Sequence, residues 1–363
     1  MFSLALFDVV NATAAKVNAP EEPVIWFLQT FVTLFIIMNV VLVIMAYQTW
    51  AERKVMALSQ QRLGPMRTGP IGLLQPIADA VKLLNKEYIV PRDADKTLFF
   101  FAPIIGFIPA VAAFAVIPWG DATSEGLLGG WLRPIIANLN MGILYLLALS
   151  SIGVYGIVMS GYTSGNKYAT LGSIRSSAQV VSYELTLGLG LMGTLIMAGS
   201  LNLNDVVLAQ KNTMWYIIPQ FFGFVVYAIS GIAETNRNPF DLPEAESELV
   251  AGYHLEYGAM HFGMVYLGEY INMNVIAATV ATLYLGGWAA PASFLEFIPG
   301  PIWLFLKFGL FLFLYYWIRV TLPRFRYDQL MGFCWKVLFP IALANVAITA
   351  IFKYLGITFG WWG

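Results

Sequence analysis

The sequence predicts an all-α integral membrane protein with eight transmembrane helices, an interfacial amphipathic helix and ordered cytoplasmic loops. Three observations predict it. The chain is 59% hydrophobic and only 11% charged, with a mean hydropathy of +0.70, whereas a soluble domain carries roughly 25% charged residues. Its apolar residues come in long runs rather than stripes at helical spacing, so a large soluble core does not explain them. The remaining charges collect in a few segments between those runs.

A hydrocarbon layer about 30 Å thick needs about 20 residues at 1.5 Å each. Val24–Tyr47, Leu98–Pro118 and Asn138–Gly165 contain no charged side chain. Ala178–Ser200 contains only Glu184, and Trp215–Ala233 runs uncharged into Glu234. Met260–Trp288 holds His261 and Glu269, Ile302–Ile318 holds Lys307, and Val337–Phe352 is uncharged. Prolines and glycines in and near these runs, such as Pro103, Pro109 and Gly223, predict kinks and cavities between helices. Residues 1–23 read as an extension and 24–363 as one helical domain.

Lysine and arginine set the orientation. Segments 48–97, 166–177, 234–259 and 319–336 hold fifteen of them, while Lys16, Arg133, Lys211 and Lys353 fall on the other side. The rich side is expected to be cytoplasmic, with both termini outside. Within the first rich segment, Ile71–Glu87 reads as an amphipathic helix. Ile77, Val81 and Leu84 share one face, and Asp79, Lys82 and Lys86 another. Such a helix lies in the membrane interface or packs on a soluble partner; the pattern alone leaves both open.

Composition excludes several functions. A net charge of −1 supplies no basic field for nucleic acid. One cysteine, Cys334, and two histidines, His254 and His261, are too few for an iron–sulfur cluster or a structural zinc site. Electrons passing nearby must therefore sit on a partner or a ligand. Gly188, Gly190 and Gly193 spell a dinucleotide fingerprint, but inside a membrane span without the strand that motif needs, so close helix packing is the expectation.

Two features point to proton chemistry. The segment Glu234–Glu256 carries Glu234, Asp241, Glu244, Glu246, Glu248 and Glu256 against Arg237 alone. Crowded carboxylates repel, which raises some pKa values toward neutral pH and suits proton passage or charge sensing. A solvated acidic loop is the plainer reading. Phe240, Leu242, Pro243, Leu249, Val250 and Tyr253 interleave with the acids, however, and suggest a structured segment. The second feature is acid within the spans, at Glu184 and Glu269. A charge there costs roughly 2.5–3.5 kcal/mol, so such residues face a polar interior or a pathway, or pair as neutral acids with a neighbouring helix. Lys307 is expected to snorkel or pair with an acid.

The blocks themselves carry a resemblance. Glu52-Arg53-Lys54 through Gln60-Gln61-Arg62-Leu-Gly64-Pro65, Gln75-Pro76 through Lys86-Glu87, and Arg175 through Glu184-Leu185 resemble the H-subunit family of respiratory complex I. So do the long block Ala233–Tyr257, Gly268-Glu269-Tyr270 and Pro323 through Asp328. These proteins are the quinone-site membrane subunits of the proton-pumping NADH:quinone oxidoreductase. The resemblance implies a subunit with no cofactor of its own, quinone as substrate, and FMN and iron–sulfur clusters in peripheral-arm partners. Antiporter-like and small membrane subunits are further implied partners, and a bacterial inner membrane the implied location. It places Arg53, Arg62, Asp79, Lys82, Arg237 and Phe240 along the quinone path. It places Glu184, Glu234, Asp241, Glu244, Glu246, Glu248, Glu256 and Glu269 in an acidic funnel that couples quinone reduction to proton translocation. The rival readings are a membrane subunit of a related hydrogenase or formate-hydrogenlyase complex, and an independent transporter; the latter usually shows inverted repeats, and the sequence has none.

Overall fold

The computed structural model describes residues 23–120, 134–241, 252–291 and 295–355. Glu244, Glu246, Glu248 and the N-terminal extension up to residue 22 lie outside the described residues. The described chain is helical, with no strand among the described residues. In chain order the helices are α1 (Pro23–Ser59), α2 (Gln75–Asn85), α3 (Lys96–Ala112), α4 (Gly142–Thr163) and α5 (Lys167–Ala198). They continue as α6 (Leu203–Asn212), α7 (Phe221–Glu234), α8 (Ala259–Tyr284), α9 (Gly300–Thr321) and α10 (Tyr327–Tyr354).

Six helical stretches are long and apolar enough to cross a membrane: α1, α3 continued by the 3-10 turn Ala113–Val116, α4, α5, α9 and α10. The protein is therefore an all-α integral membrane protein of several passes. The other two expected spans differ in kind. Helix α7 is apolar but has 14 residues, about 21 Å of rise. Helix α8 has 26 residues but carries more polar side chains, which it buries inside the protein: Glu269, Asn274, Thr279 and Thr282.

Helix ends differ from the apolar runs because a helix does not stop where hydrocarbon does. Helix α1 continues past Tyr47 to Ser59, so Glu52, Arg53 and Lys54 are helical. Its 37 residues rise about 55 Å, well beyond the hydrocarbon thickness. Likewise α5 starts at Lys167, and the expected loop 166–177 shrinks to a short link between α4 and α5. Asn166 makes that start by accepting the Tyr168 amide at 2.9 Å. Asp95 begins α3 in the same way, accepting from Thr97 and Leu98. Pro103 and Pro109 lie inside α3 as expected. The π turn Cys334–Leu338 joins Tyr327–Phe333 to Phe339–Tyr354, so α10 begins ten residues before the expected Val337.

The amphipathic helix is shorter than expected, at Gln75–Asn85 after a 3-10 turn at Pro70–Gly72. Ile77, Val81 and Leu84 are exposed, while Asp79 turns partly inward against α1. Helix α5 packs on α4, α7 and α10, and α8 packs on α3, α9 and α1. Gly190 and Gly193 allow the α5–α7 approach: a Cβ on Gly190 would lie 3.2 Å from the Tyr227 nitrogen, and one on Gly193 would run into Gln220 Oε1. Gly188 has open space instead, so it is not a packing residue.

Lys307 corrects an expectation. Among the described residues it neither snorkels nor pairs with an acid. Buried on α9, it donates to the carbonyls of Gly287 (2.8 Å) and Ala289 (2.7 Å) and lies 4.9 Å from the Trp215 ring. Gly286 and Gly287 adopt positive φ just past the end of α8, which turns these carbonyls inward. A cation is well matched to that carbonyl-rich helix end.

Candidate functional site

Two polar residues spaced four apart on α1, Gln48 and Glu52, occupy one face of the helix. On α8, Tyr270 and Asn274 do the same. The two faces meet. Gln48 and Asn274 exchange amide hydrogen bonds of 2.8 and 3.1 Å, and Tyr270 donates to Glu52 at 2.5 Å. Both amides and both members of the second pair are buried.

Arg237 enters this group from the segment after α7. Its guanidinium lies 3.6 Å from Glu52 and 3.6 Å from Glu269, and stacks 4.3 Å above the Tyr270 ring. Arg319, near the end of α9, forms a second ion pair with Glu52. Tyr253, in the 3-10 turn Gly252–His254, donates to Glu269 at 2.8 Å. Among the described residues, two arginines thus stand against two glutamates in a low-permittivity interior. Removing any one member leaves an uncompensated charge, a far larger penalty than the pairs return on forming.

The backbone after α7 is held so that Arg237 points here. Gln179 on α5 donates to the carbonyls of Ala233 and Phe240, each at 2.9 Å. Asn236, at φ 49, donates to Ser176 at 3.2 Å. Phe240 is buried between Tyr183 and Phe325, each ring 5.6 Å away.

Glu269 and Tyr253 also line a cavity between α3, α4 and α8, with ≈ 630 Å³ of empty space out to its mouth. Glu234, Asn236, Ser150 and Ser160 contribute polar wall; Phe107, Val154 and Met264 contribute apolar wall. Glu234 and Ser150 share that wall. Glu184 is half-buried and hydrogen-bonded by Ser151, with Ser150 at 3.5 Å.

Asp241 lies at the edge of the ion group, 3.1 Å from Arg324. Burial pushes its carboxyl up to about 6, although Arg324 and Arg237 pull it down; Glu269 adds to the rise. Burial also lowers His254 from the ordinary histidine range, with Glu269 opposing it. Glu256 is separate from the cavity and accepts from Asn166 at 2.8 Å.

Of the residues expected along a quinone path, Arg237 and Phe240 are buried. Arg53 and Asp79 pair at 2.7 Å at the α1–α2 surface, with Gln75 supporting Asp79 at 3.1 Å. Arg62 and Lys82 are exposed and stand outside the buried group. Of the expected acids, Glu234 and Glu269 share the cavity wall, Glu184 is held by Ser151 beside that wall, and Asp241 adjoins the ion group.

Sequence reading leaves out Glu52, Arg319, Tyr270, Tyr253 and Ser150. A signal existed for the first and third: polar residues four apart, Gln48 with Glu52 and Tyr270 with Asn274. Nothing local marks Arg319 or Ser150. Among the described residues no group of three or more His, Cys, Asp or Glu side chains is placed to hold a metal ion.

A family model described as NADH dehydrogenase matches residues 32–350. The chain is 52% identical over 332 residues to the H subunit of the NADH-quinone oxidoreductase of Thermomicrobium roseum, covering 89% of this chain and 95% of that one. It is 52% identical over 309 residues to the H subunit from Rhodospirillum rubrum, covering 85% and 88%. To the H subunit from Brevibacillus brevis it is 47% identical over 327 residues, covering 90% and 93%. Agreement at that level along most of every chain leaves one assignment: the chain belongs to the NADH dehydrogenase family, among the H subunits of NADH-quinone oxidoreductase.

Proposed function

We propose that this chain is the complex I membrane subunit that admits quinone and couples its reduction to proton translocation. The observation that carries this reading is Arg237, held between buried Glu52 and Glu269, with Glu269 on the wall of the cavity that reaches Glu234. A charge change on the quinone side of Arg237 is felt at the cavity without any large motion.

The size of that effect is adequate. Two unit charges about 6 Å apart at an effective permittivity of about 20 interact by about 3 kcal/mol, or about two pKa units. Reduction of quinone takes up protons and alters charge in the tunnel. Glu269, Glu234, Glu184 and Asp241 answer by exchanging protons, with Glu244, Glu246, Glu248 and Glu256 as further acids of the funnel. Arg53, Arg62, Asp79, Lys82, Arg237 and Phe240 form the path that quinone follows. The exposed apolar face of α2 suits a helix lying in the interface where a lipid-dissolved tail arrives.

In this reading the chain carries no redox centre; FMN and iron–sulfur clusters sit in peripheral-arm subunits. The antiporter-like subunits receive the coupling, and the arginine- and lysine-rich segments face the cytoplasm of a bacterial inner membrane. The names of the relatives favour NADH over hydrogen or formate as the electron source.

The test is E234Q and E246Q in the intact complex. Each substitution is expected to depress quinone reductase activity and proton pumping together while the complex still assembles. Full activity and full pumping in both variants overturn the reading.

A further inference from the structure

The hydrogen bonds between α1 and α8 fix a register. Gln48 meets Asn274 and Glu52 meets Tyr270, so the two helices run in opposite directions with the pairs spaced four residues apart on each. Continuing that seam along both helices by three and then four residues sets Met45 opposite Ala277 and Val41 opposite Ala281. All eight of these side chains are buried. Alternate steps of three and four are the spacing of two helices packed along a shared stripe. Val41 and Met45 against two alanines hold the helices close, but apolar contacts of that kind do not decide where along each other they stop. The amides do. Gln48 and Asn274, 3 and 1% exposed, satisfy each other through two bonds of 2.8 and 3.1 Å. On the side away from Glu52, Asn274 lines a small, otherwise hydrophobic cavity with Val41, Ile44 and Ala278, so an amide that lost its partner would face hydrocarbon. A slip of α1 by three residues moves it about 4.5 Å. Gln48 would then take the place of Met45 against the Ala277 methyl. Glu52 would leave its seat, 3.6 Å from Arg237 and 2.5 Å from the Tyr270 hydroxyl.

We propose that Gln48 and Asn274 are positioning residues: their reciprocal amide pair sets the register of α1 on α8 and thereby seats Glu52 beside Arg237 and Arg319. The role rests on the reading of the Arg237 group as the coupling centre. Amides suit the task because each offers donors and an acceptor at one tip, so two of them bond face to face in one register and lose both bonds in the next. The pair carries no charge and adds nothing to the field of the ion group that it orients. Helix α1 needs such a lock. Phe31, Phe35 and Val43 turn away from the bundle and are exposed, so the fixing of α1 falls to the seam.

The experiment compares Q48M/N274L, Q48N/N274Q, E52Q and Q48M/N274L/E52Q in the assembled complex, per unit of complex. Q48M/N274L keeps the outline of both side chains and orphans neither amide, so assembly is retained. Its kcat for coupled quinone reduction is expected to fall about fivefold, the population scale of one interhelical polar pair. Q48N/N274Q exchanges the long and the short amide across the seam, rebuilds both bonds and restores most of the rate. The apolar pair adds nothing to E52Q, since it acts only through where Glu52 sits. A wild-type rate in Q48M/N274L, a rate in Q48N/N274Q as low as in Q48M/N274L, or a further loss in the triple variant overturns the register role. So does failure of Q48M/N274L to assemble, which would make the amides a support of the fold alone. Loss of coupling in E52Q with none in Q48M/N274L removes the register role and leaves the coupling reading standing. Wild-type coupling in E52Q removes that reading of the Arg237 group as well.

Discussion

Arg237 Nη2 stands 3.6 Å from Glu269 Oε2, with the two side chains only 8 and 9% exposed. The same guanidinium reaches Glu52 at 3.6 Å, whose side chain is 4% exposed. One cation thus stands between two acids that come from helices α1 and α8, and the contact joins the parts of the molecule that the proposed coupling must connect.

Breaking that contact should act through the charges left behind. R237M takes the Arg237 cation from Glu269 and leaves Glu52 with Arg319 alone in a buried setting, and removal of one buried partner costs about 3–5 kcal/mol. The assembled fraction and the thermal stability of the complex should both fall. Adding E269Q to R237M removes one stranded charge and should recover a measurable part of the stability. Equal instability in the single and double variants would show that packing, not charge, holds the group together.

Glu52 should matter as much as the acids that the sequence makes conspicuous. E52Q keeps the shape and an acceptor for the 2.5 Å bond from Tyr270 but leaves Arg237 and Arg319 without their shared counter-charge. Coupled quinone reduction should fall at least tenfold, since hydrogen bonds to charged groups are worth about 1.5–3 kcal/mol. Steady-state turnover with a short-chain quinone reads this directly; a rate within twofold of wild type contradicts the placement of Glu52 in the group.

The membrane character was legible because spanning demands long apolar runs, and no arrangement of side chains can disguise them. Helix limits were not, because Glu52, Arg53 and Lys54 are as helical as the apolar residues before them. The acids Glu184, Glu234 and Glu269 stood out against an uncharged background. Their partners did not. Glu52 meets Tyr270 across 218 residues of chain, and the Ser150 hydroxyl looks like any helical serine until α5 is packed beside it. Lys307 invited an acidic partner and instead satisfies two carbonyls, a choice set by the backbone turn at Gly286 and Gly287.

Asp241 supplies a pH dependence with a definite sign. Its folded-state pKa of about 6 lies above its unfolded value of 3.8, so protonation favours the folded form. The associated stability is complete below about pH 4 and is lost as pH rises through about 6. R324Q removes a cation that lowers this pKa, so the loss should shift to higher pH. In D241N that part of the pH dependence should vanish. Thermal unfolding of the complex across pH 4–8 checks both; an unchanged profile in D241N assigns the titration elsewhere.

Gly172 tests whether the turn that carries Tyr253 must stay seated. A Cβ on Gly172 of α5 would lie 2.7 Å from the Gly252 Cα and 3.0 Å from the Tyr253 nitrogen, both backbone atoms that cannot swing aside. G172A therefore pushes the turn off α5, at about 1–3 kcal/mol for overpacking. Because Tyr253 bonds Glu269 at 2.8 Å from that turn, Y253F should lower coupled quinone reduction by removing that bond, and the displacement in G172A should lower it in the same way. The two defects should not add in the double variant, since both act by separating the same phenol from the same carboxylate. Additive defects would mean that Gly172 serves helix packing without positioning Tyr253.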